Sequence, residues 1–206
     1  RNIMVVPEID VPGHATAAIA CYPEISCDNR IIEVEPHFGI FKNNLCCAKK
    51  ESYDFIKTVI DELCEIFPAP YFHIGGDEVV SEQWDNCPAC QELMKKEGLG
   101  DHIALHGYFN NILVNHLKEK GKQAIGWNEI ISDTMDSTAI PQVWTTRGAE
   151  KAVEWSQTRG PVILTQYNYF YSDMAFSLIP LSKTYNYSPF FEGFEDENIL
   201  GVEMPQ

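Results

Sequence analysis

Short apolar runs alternate with amphipathic stretches along the chain. Residues 3–9, 71–74, 123–127, 140–145, 162–167 and 199–202 are the strand candidates, and several are short and apolar on both parities, the pattern of strands covered on both faces. Helical periodicity fills much of the space between them. In 52–67, Ile56, Val59, Ile60, Leu63 and Phe67 recur at three- and four-residue steps, and Pro68 closes the segment. In 102–120, Leu105, Phe109, Ile112, Leu113 and His116 form one stripe, with Gly121 placed to cap it. Segments 81–97 and 149–159 are weaker helices. The first run, 3–9, is expected to be a buried strand.

Strand–helix alternation predicts an α/β fold with a parallel sheet and helices outside it. Six strands fit either an open doubly wound sheet or part of a (β/α)8 barrel. The polar positions favour the barrel. His14, Asp77, Glu78, Trp127, Asn128, Glu129, Trp144, Tyr171 and Asp173 all fall at or just past the C-terminal ends of predicted strands. A barrel assembles its site there from several strands, whereas an open sheet concentrates ligand contacts at one switch point. The chain carries no GxGxxG or phosphate-binding loop.

Composition narrows the partners. The 206 residues carry 15 Lys+Arg against 30 Asp+Glu, a formal net charge of −15. Such a surplus of carboxylates argues against nucleic acid and against a polybasic membrane anchor. No apolar run is long enough to span a bilayer. Seven cysteines cannot all pair internally. Cys87-Pro-Ala-Cys90 is a CxxC, but no second such pair or His pair stands at zinc-finger spacing, so ordinary thiols or one local disulfide are expected, and neither metal site nor cofactor is assigned. The chain opens on a strand-like run at Arg1 and closes at Gln206 just after another, so both ends are expected to be cut.

The densest chemical signal is His73-Ile74-Gly75-Gly76-Asp77-Glu78. A strand enters it, and two glycines let the backbone turn so that both acids can face one pocket. Two carboxylates in one pocket repel, so one of Asp77 and Glu78 is expected to be raised and protonated, giving a general acid beside an anionic stabiliser. The plainer alternative is a helix N-terminus decorated with acids. In Pro7-Glu8-Ile9-Asp10-Val11-Pro12-Gly13-His14, Glu8 and Asp10 share parity on a strand and His14 follows it. Acids on a barrel-lining face are costly unless paired or functional. Trp127 and Trp144 end two further strands, and Tyr169-Phe170-Tyr171 follows another. Indole rings beside carboxylates suit the C–H faces of a sugar, although each Trp could also be core.

Together these segments resemble glycoside hydrolase family 20, the β-N-acetylhexosaminidases. VVPEIDVPGH, HIGGDE, IGWNEI, PQVWTT, Tyr171-Ser172-Asp173 and the closing GVEMP carry the resemblance, in the family's order over nearly the whole chain. It implies one domain over 1–206, part of a TIM barrel with about six of eight strands and the N-terminal strands missing. It also implies hydrolysis of terminal β-linked N-acetylglucosamine or N-acetylgalactosamine with retention, assisted by the substrate's own 2-acetamido oxygen through an oxazolinium ion. On this resemblance Glu78 matches the general acid and base, and Asp77 the carboxylate that orients the acetamido N–H. Tyr171 matches the hydroxyl on the acetamido oxygen and Asp173 the acid supporting the sugar hydroxyls. Trp127 and Trp144 match pocket walls, His14 a histidine coupled to the acid, and Asp10, Glu8 and His73 supporting residues behind them. The implied partners are N-acetylhexosamine-bearing glycans, and the implied compartment is secreted, periplasmic or lysosomal.

The family's first strand carries an Arg that grips the sugar, and its last continues into a Trp and a Glu; all three lie outside this chain. Missing strands leave open edges and an open interior, so self-association completing a barrel is expected. Other readings stay open on sequence: a variant releasing lacto-N-biose, a sugar-binding piece without turnover, and metal-dependent hydrolysis through His14, His73, Asp77 and Glu78.

Overall fold

The computed structural model describes residues 2–175, 177–188 and 193–205. Five strands form: β1 (Tyr71–His73), β2 (Gln123–Trp127), β3 (Ile140–Val143), β4 (Val162–Leu164) and β5 (Ile199–Val202). They lie in one sheet in sequential order, every neighbouring pair parallel. Sequential parallel order is what successive right-handed crossovers in a barrel produce.

The helices are α1 (Thr16–Cys21), α2 (Lys50–Ile66), α3 (Glu82–Asp85), α4 (Pro88–Glu97), α5 (His102–Glu119), α6 (Ala149–Thr158), α7 (Tyr167–Phe170) and α8 (Leu181–Tyr185). α5 forms because its apolar positions share a stripe and Asp101 caps it, accepting from the Ala104 N–H at 2.8 Å. Leu105, Phe109, Leu113 and Leu117 are buried along that stripe. They join Phe72 and Ala124 from the strands, while Ala152 and Trp155 of α6 join Val143, Val162 and Leu164. Gly121, at φ +70°, stands just past the end of α5 in the left-handed turn that favours glycine. None of the described helices is long and apolar enough to cross a membrane.

Two expectations change. Segment 81–97 is not one helix: Cys87 is extended and Pro88 starts α4 afresh, because proline suits a helix's first turn but breaks its interior. Residues 3–9 are not a buried strand. They run beside β1 through a single parallel bridge, Glu8 to His73, with Pro7 accepting from the His73 N–H at 2.9 Å and the Ile9 N–H donating to His73 at 3.0 Å. Ile3, Met4 and Val5 are exposed, since none of the described residues covers them.

Candidate active site

Two loops at the C-terminal edge of the sheet build the site. After the 7–11 segment the chain turns at Pro12-Gly13 and places His14 at φ +50°. After β1, Gly75 (φ +68°), Gly76 (φ +98°) and Glu78 (φ +52°) form the second loop. Only four non-glycine residues are left-handed among those described, and the other two are asparagines, which tolerate it. His14 and Glu78 hold it at a cost of about 1–3 kcal/mol each, a strain that gathers at functional sites. Gly75 is obligatory for another reason. A Cβ there would lie 1.8 Å from Asp10 Oδ1 and 2.4 Å from Asp10 Cα, so only glycine lets the two loops meet.

The four charged groups converge. His14 Nε2 lies 3.3 Å from Glu78 Oε2, 3.6 Å from Asp77 Oδ2 and 4.0 Å from Asp10 Oδ2. The Gly76 N–H donates to Asp10 Oδ1 at 3.0 Å. Burial, then the neighbouring Asp77 charge, pushes the Asp10 carboxyl up to about 8. For Asp77 burial acts upward, but hydrogen bonds to His14 and Asp10 outweigh it and hold the carboxyl below its ordinary value. A hydrogen bond to Asp77 raises His14 to about 9, against the opposing effect of burial. At neutral pH the cluster therefore holds a protonated Asp10, an ionised Asp77 and an imidazolium.

Repulsion around the ionised Asp77 is relieved by a proton on Asp10 and a positive charge on His14. The sequence hid this because Asp10 and Asp77 are far apart along the chain and meet only through the Gly75 contact.

The other expected residues surround this cluster unequally. Trp127 stands half-buried at the end of β2, edge-on to His73 at 4.8 Å between ring centroids. Trp144, past β3, donates from Nε1 to Glu129 at 2.9 and 3.1 Å. Its backbone N–H meets Asn128 Oδ1 at 3.2 Å, and Asn128 donates to the Arg147 carbonyl, so the loops after β2 and β3 are locked together. Tyr171 is half-buried. Burial first, then the charges of Asp77, Glu203, Asp173 and Glu129, raise its hydroxyl above the ordinary value, so it remains a donor. Asp173 is exposed at the rim. Glu8 and His73 form a separate pair, 3.1 Å apart, behind the cluster.

Three residues had no role assigned from sequence. Glu129 is pushed up to about 7, chiefly by burial. His106, fully buried on α5, is driven down to about 4 by burial and stays neutral behind Gly76. Glu203, just past β5, contacts Gln142 of β3. Glu129 was visible as a polar residue past a strand, but only its bond to Trp144 gives it a place. His106 lies within a helical stripe and reads as ordinary core.

A cleft of about 500 Å³ opens beside the cluster. Glu78, Glu129 and Trp144 line it, together with His102, Arg147 and Lys151. Asp77 and Tyr171 lie outside this lining, so Glu78 stands between the cleft and the rest of the carboxylate cluster.

Comparison with known proteins finds relatives by sequence and by fold. Residues 1–199 match the model of "Glycosyl hydrolase family 20, catalytic domain". A β-hexosaminidase of Porphyromonas gingivalis is 38% identical over 165 residues, covering 80% of this chain and 21% of that protein. The crystal structure of β-N-acetylhexosaminidase from Bacteroides fragilis superposes with a TM-score of 0.84 at 33% identity, over 100% of this chain and 43% of that one. An exo-β-N-acetylglucosaminidase from Vibrio harveyi, solved in complex with N-acetylglucosamine, gives 0.81 at 32% identity, over 98% and 34%. The chain thus spans between a fifth and a half of the length of these relatives.

Proposed function

The chain belongs to glycosyl hydrolase family 20, and from that premise we propose that it carries the acid–base half of an exo-acting glycosidase. The substrate is a terminal β-linked N-acetylglucosamine or N-acetylgalactosamine, released with retention. The fold is part of a TIM barrel, and residues 1–206 act as one piece of its catalytic domain. The observation that carries the reading is the convergence of Asp10, His14, Asp77 and Glu78 at the C-terminal edge of the sheet, beside Trp127 and Trp144.

Glu78 borders both the cleft and the carboxylate cluster. From there it protonates the glycosidic oxygen as the bond to the anomeric carbon breaks. The substrate's acetamido oxygen attacks that carbon from the other side and closes an oxazolinium ring. Asp77, held ionised, accepts from the acetamido N–H and stabilises the positive charge. Tyr171 donates to the acetamido oxygen, and Asp173 at the rim meets sugar hydroxyls. Glu78, now a carboxylate, takes a proton from the water that reopens the ring. His14, cationic and 3.3 Å from Glu78, supports that negative charge between the two steps. Trp127 and Trp144 flank the acetamido group and ring, Trp144 being fixed by Glu129.

Turnover of aryl β-N-acetylglucosaminides by the protein and its Glu78→Gln variant tests the reading. Glu78→Gln is expected to slow release of poor leaving groups by roughly 10²–10⁴-fold, the usual worth of general acid catalysis, and activated aryl groups much less. Equal loss on both would remove Glu78 as the acid. Rapid cleavage of plain β-glucosides would remove the acetamido mechanism.

A further inference from the structure

Away from the carboxylate cluster, four of the seven cysteines meet. The Sγ atoms of Cys27, Cys46, Cys87 and Cys90 all lie within 4.8 Å of one another, and all but Cys27 are buried. Cys46 and Cys90 are 3.6 Å apart, Cys27 and Cys90 4.0 Å. These spacings are far beyond the roughly 2.05 Å of a disulfide. They match the edge of a tetrahedron of sulfurs around one zinc ion, about 3.8 Å for Zn–S bonds of about 2.3 Å. Four thiols gathered without an ion would be held only by weak S–H contacts.

The backbone is shaped around the quartet. Cys87 is the N-cap residue of α4, Pro88 follows at its first turn, and the Cys87 side chain caps nothing. Cys87 and Cys90 thus present their sulfurs where the helix N-terminus favours negative charge. Cys27 and Cys46 come from the long loop between α1 and α2, set side by side by the isolated bridge between Ser26 and Leu45. Cys21, Cys47 and Cys64 are also free thiols but stand outside the group.

We propose that Cys27, Cys46, Cys87 and Cys90 form a structural tetrathiolate site for a single zinc ion, the thiols releasing their protons to solvent as the Zn–S bonds form. All four positions are protein ligands, so the site is closed and does no chemistry of its own. Its role is to tie the loop between α1 and α2, which follows His14 along the chain, to the start of α4, which follows Glu78. Beside it the Trp84 Nε1–H donates to the Leu45 carbonyl at 3.0 Å, and Asn44 donates to the Val80 carbonyl at 2.6 Å.

The test is metal analysis of the full protein purified without chelator, beside Cys27→Ser, Cys90→Ser and the control Cys64→Ser. About one zinc per chain is expected in the parent and in Cys64→Ser, falling below about a tenth in the two cluster variants. Cys27 is half-exposed, so its replacement should leave a folded chain. Cobalt loaded into the stripped protein provides a second readout: tetrahedral d–d bands with thiolate-to-cobalt charge transfer, weakened in Cys27→Ser. Three results would overturn the assignment: the four sulfurs paired as disulfides, stoichiometric zinc that persists in both cluster variants, or a coloured iron protein. Each readout is independent of glycoside turnover, so failure here leaves the acid–base reading standing.

Discussion

The carboxylate cluster is a problem of proton placement. Three groups hold protons in the fold at pH values where the unfolded chain would release them: Asp10, raised to about 8; Glu129, raised to about 7; and His14, raised to about 9. Between the ordinary carboxylate range and about pH 9 the folded state therefore binds more protons than the unfolded state. Stability contributed by these groups is greatest at the acid end and is lost as pH rises through the folded values. Asp77 and His106 have the opposite sign: the Asp77 contribution disappears only in acid, and that of His106 is lost as pH falls from its ordinary value toward about 4. Thermal stability is expected to fall between about pH 5 and 9. Asp10→Asn should flatten that slope, since the amide reproduces a protonated carboxyl: its oxygen still accepts from Gly76 and its N–H₂ can donate to Asp77. Melting curves across this range check it; an unchanged slope would mean that Asp10 is ionised throughout. Asp77 and Glu78 were legible in the sequence because they are contiguous and follow two glycines. The proton on Asp10 was not, because it depends on burial and on a neighbour brought in by folding.

Among the elements, the two long helices were readable nearly to their ends, since periodicity and caps are local. The stripes at 52–67 and 102–120 became α2 and α5 with only small shifts at the termini. The break between α3 and α4 carried its own signal in Pro88. What the sequence could not convey is that this break delivers Cys87 and Cys90 to sulfurs from a different loop. Loop–loop contact also explains the different demands on glycine. Gly75 and Gly98 share φ +68°, but a Cβ added to Gly98, at the end of α4, would meet nothing within 4 Å, whereas one on Gly75 would meet the Asp10 backbone. Gly98→Ala isolates the conformational penalty, about 1–2 kcal/mol. Gly75→Ala adds a clash that no side-chain rotation relieves, and its total loss is expected to exceed about 3 kcal/mol. Urea unfolding of the two variants compares them directly. Equal losses would show that the loops can part without cost.

For the whole molecule, the parallel order β1 to β5 followed from strand–helix alternation, and the barrel from where the polar residues sit. The state of the edges did not follow, because an apolar run reads as buried whether or not its neighbour is present. One margin exposes Ile3 at 77% and Val5 at 57%, and the other exposes Leu200 at 55% and Val202 at 58%. Apolar strand edges with unpaired backbone groups recruit further strands. In a longer protein they can pair with additional strands of the same barrel. The 206 residues by themselves have only other copies to use, and the two margins differ, so association is head-to-tail and need not close. Sedimentation of the isolated chain is expected to show dimers or larger species rather than monomer. A Val5→Lys change, which puts charge on one margin, should shift the distribution toward monomer without altering the zinc content. A monomer that melts cooperatively would mean that five strands with a partial sixth suffice, and that the open interior is stable as it stands.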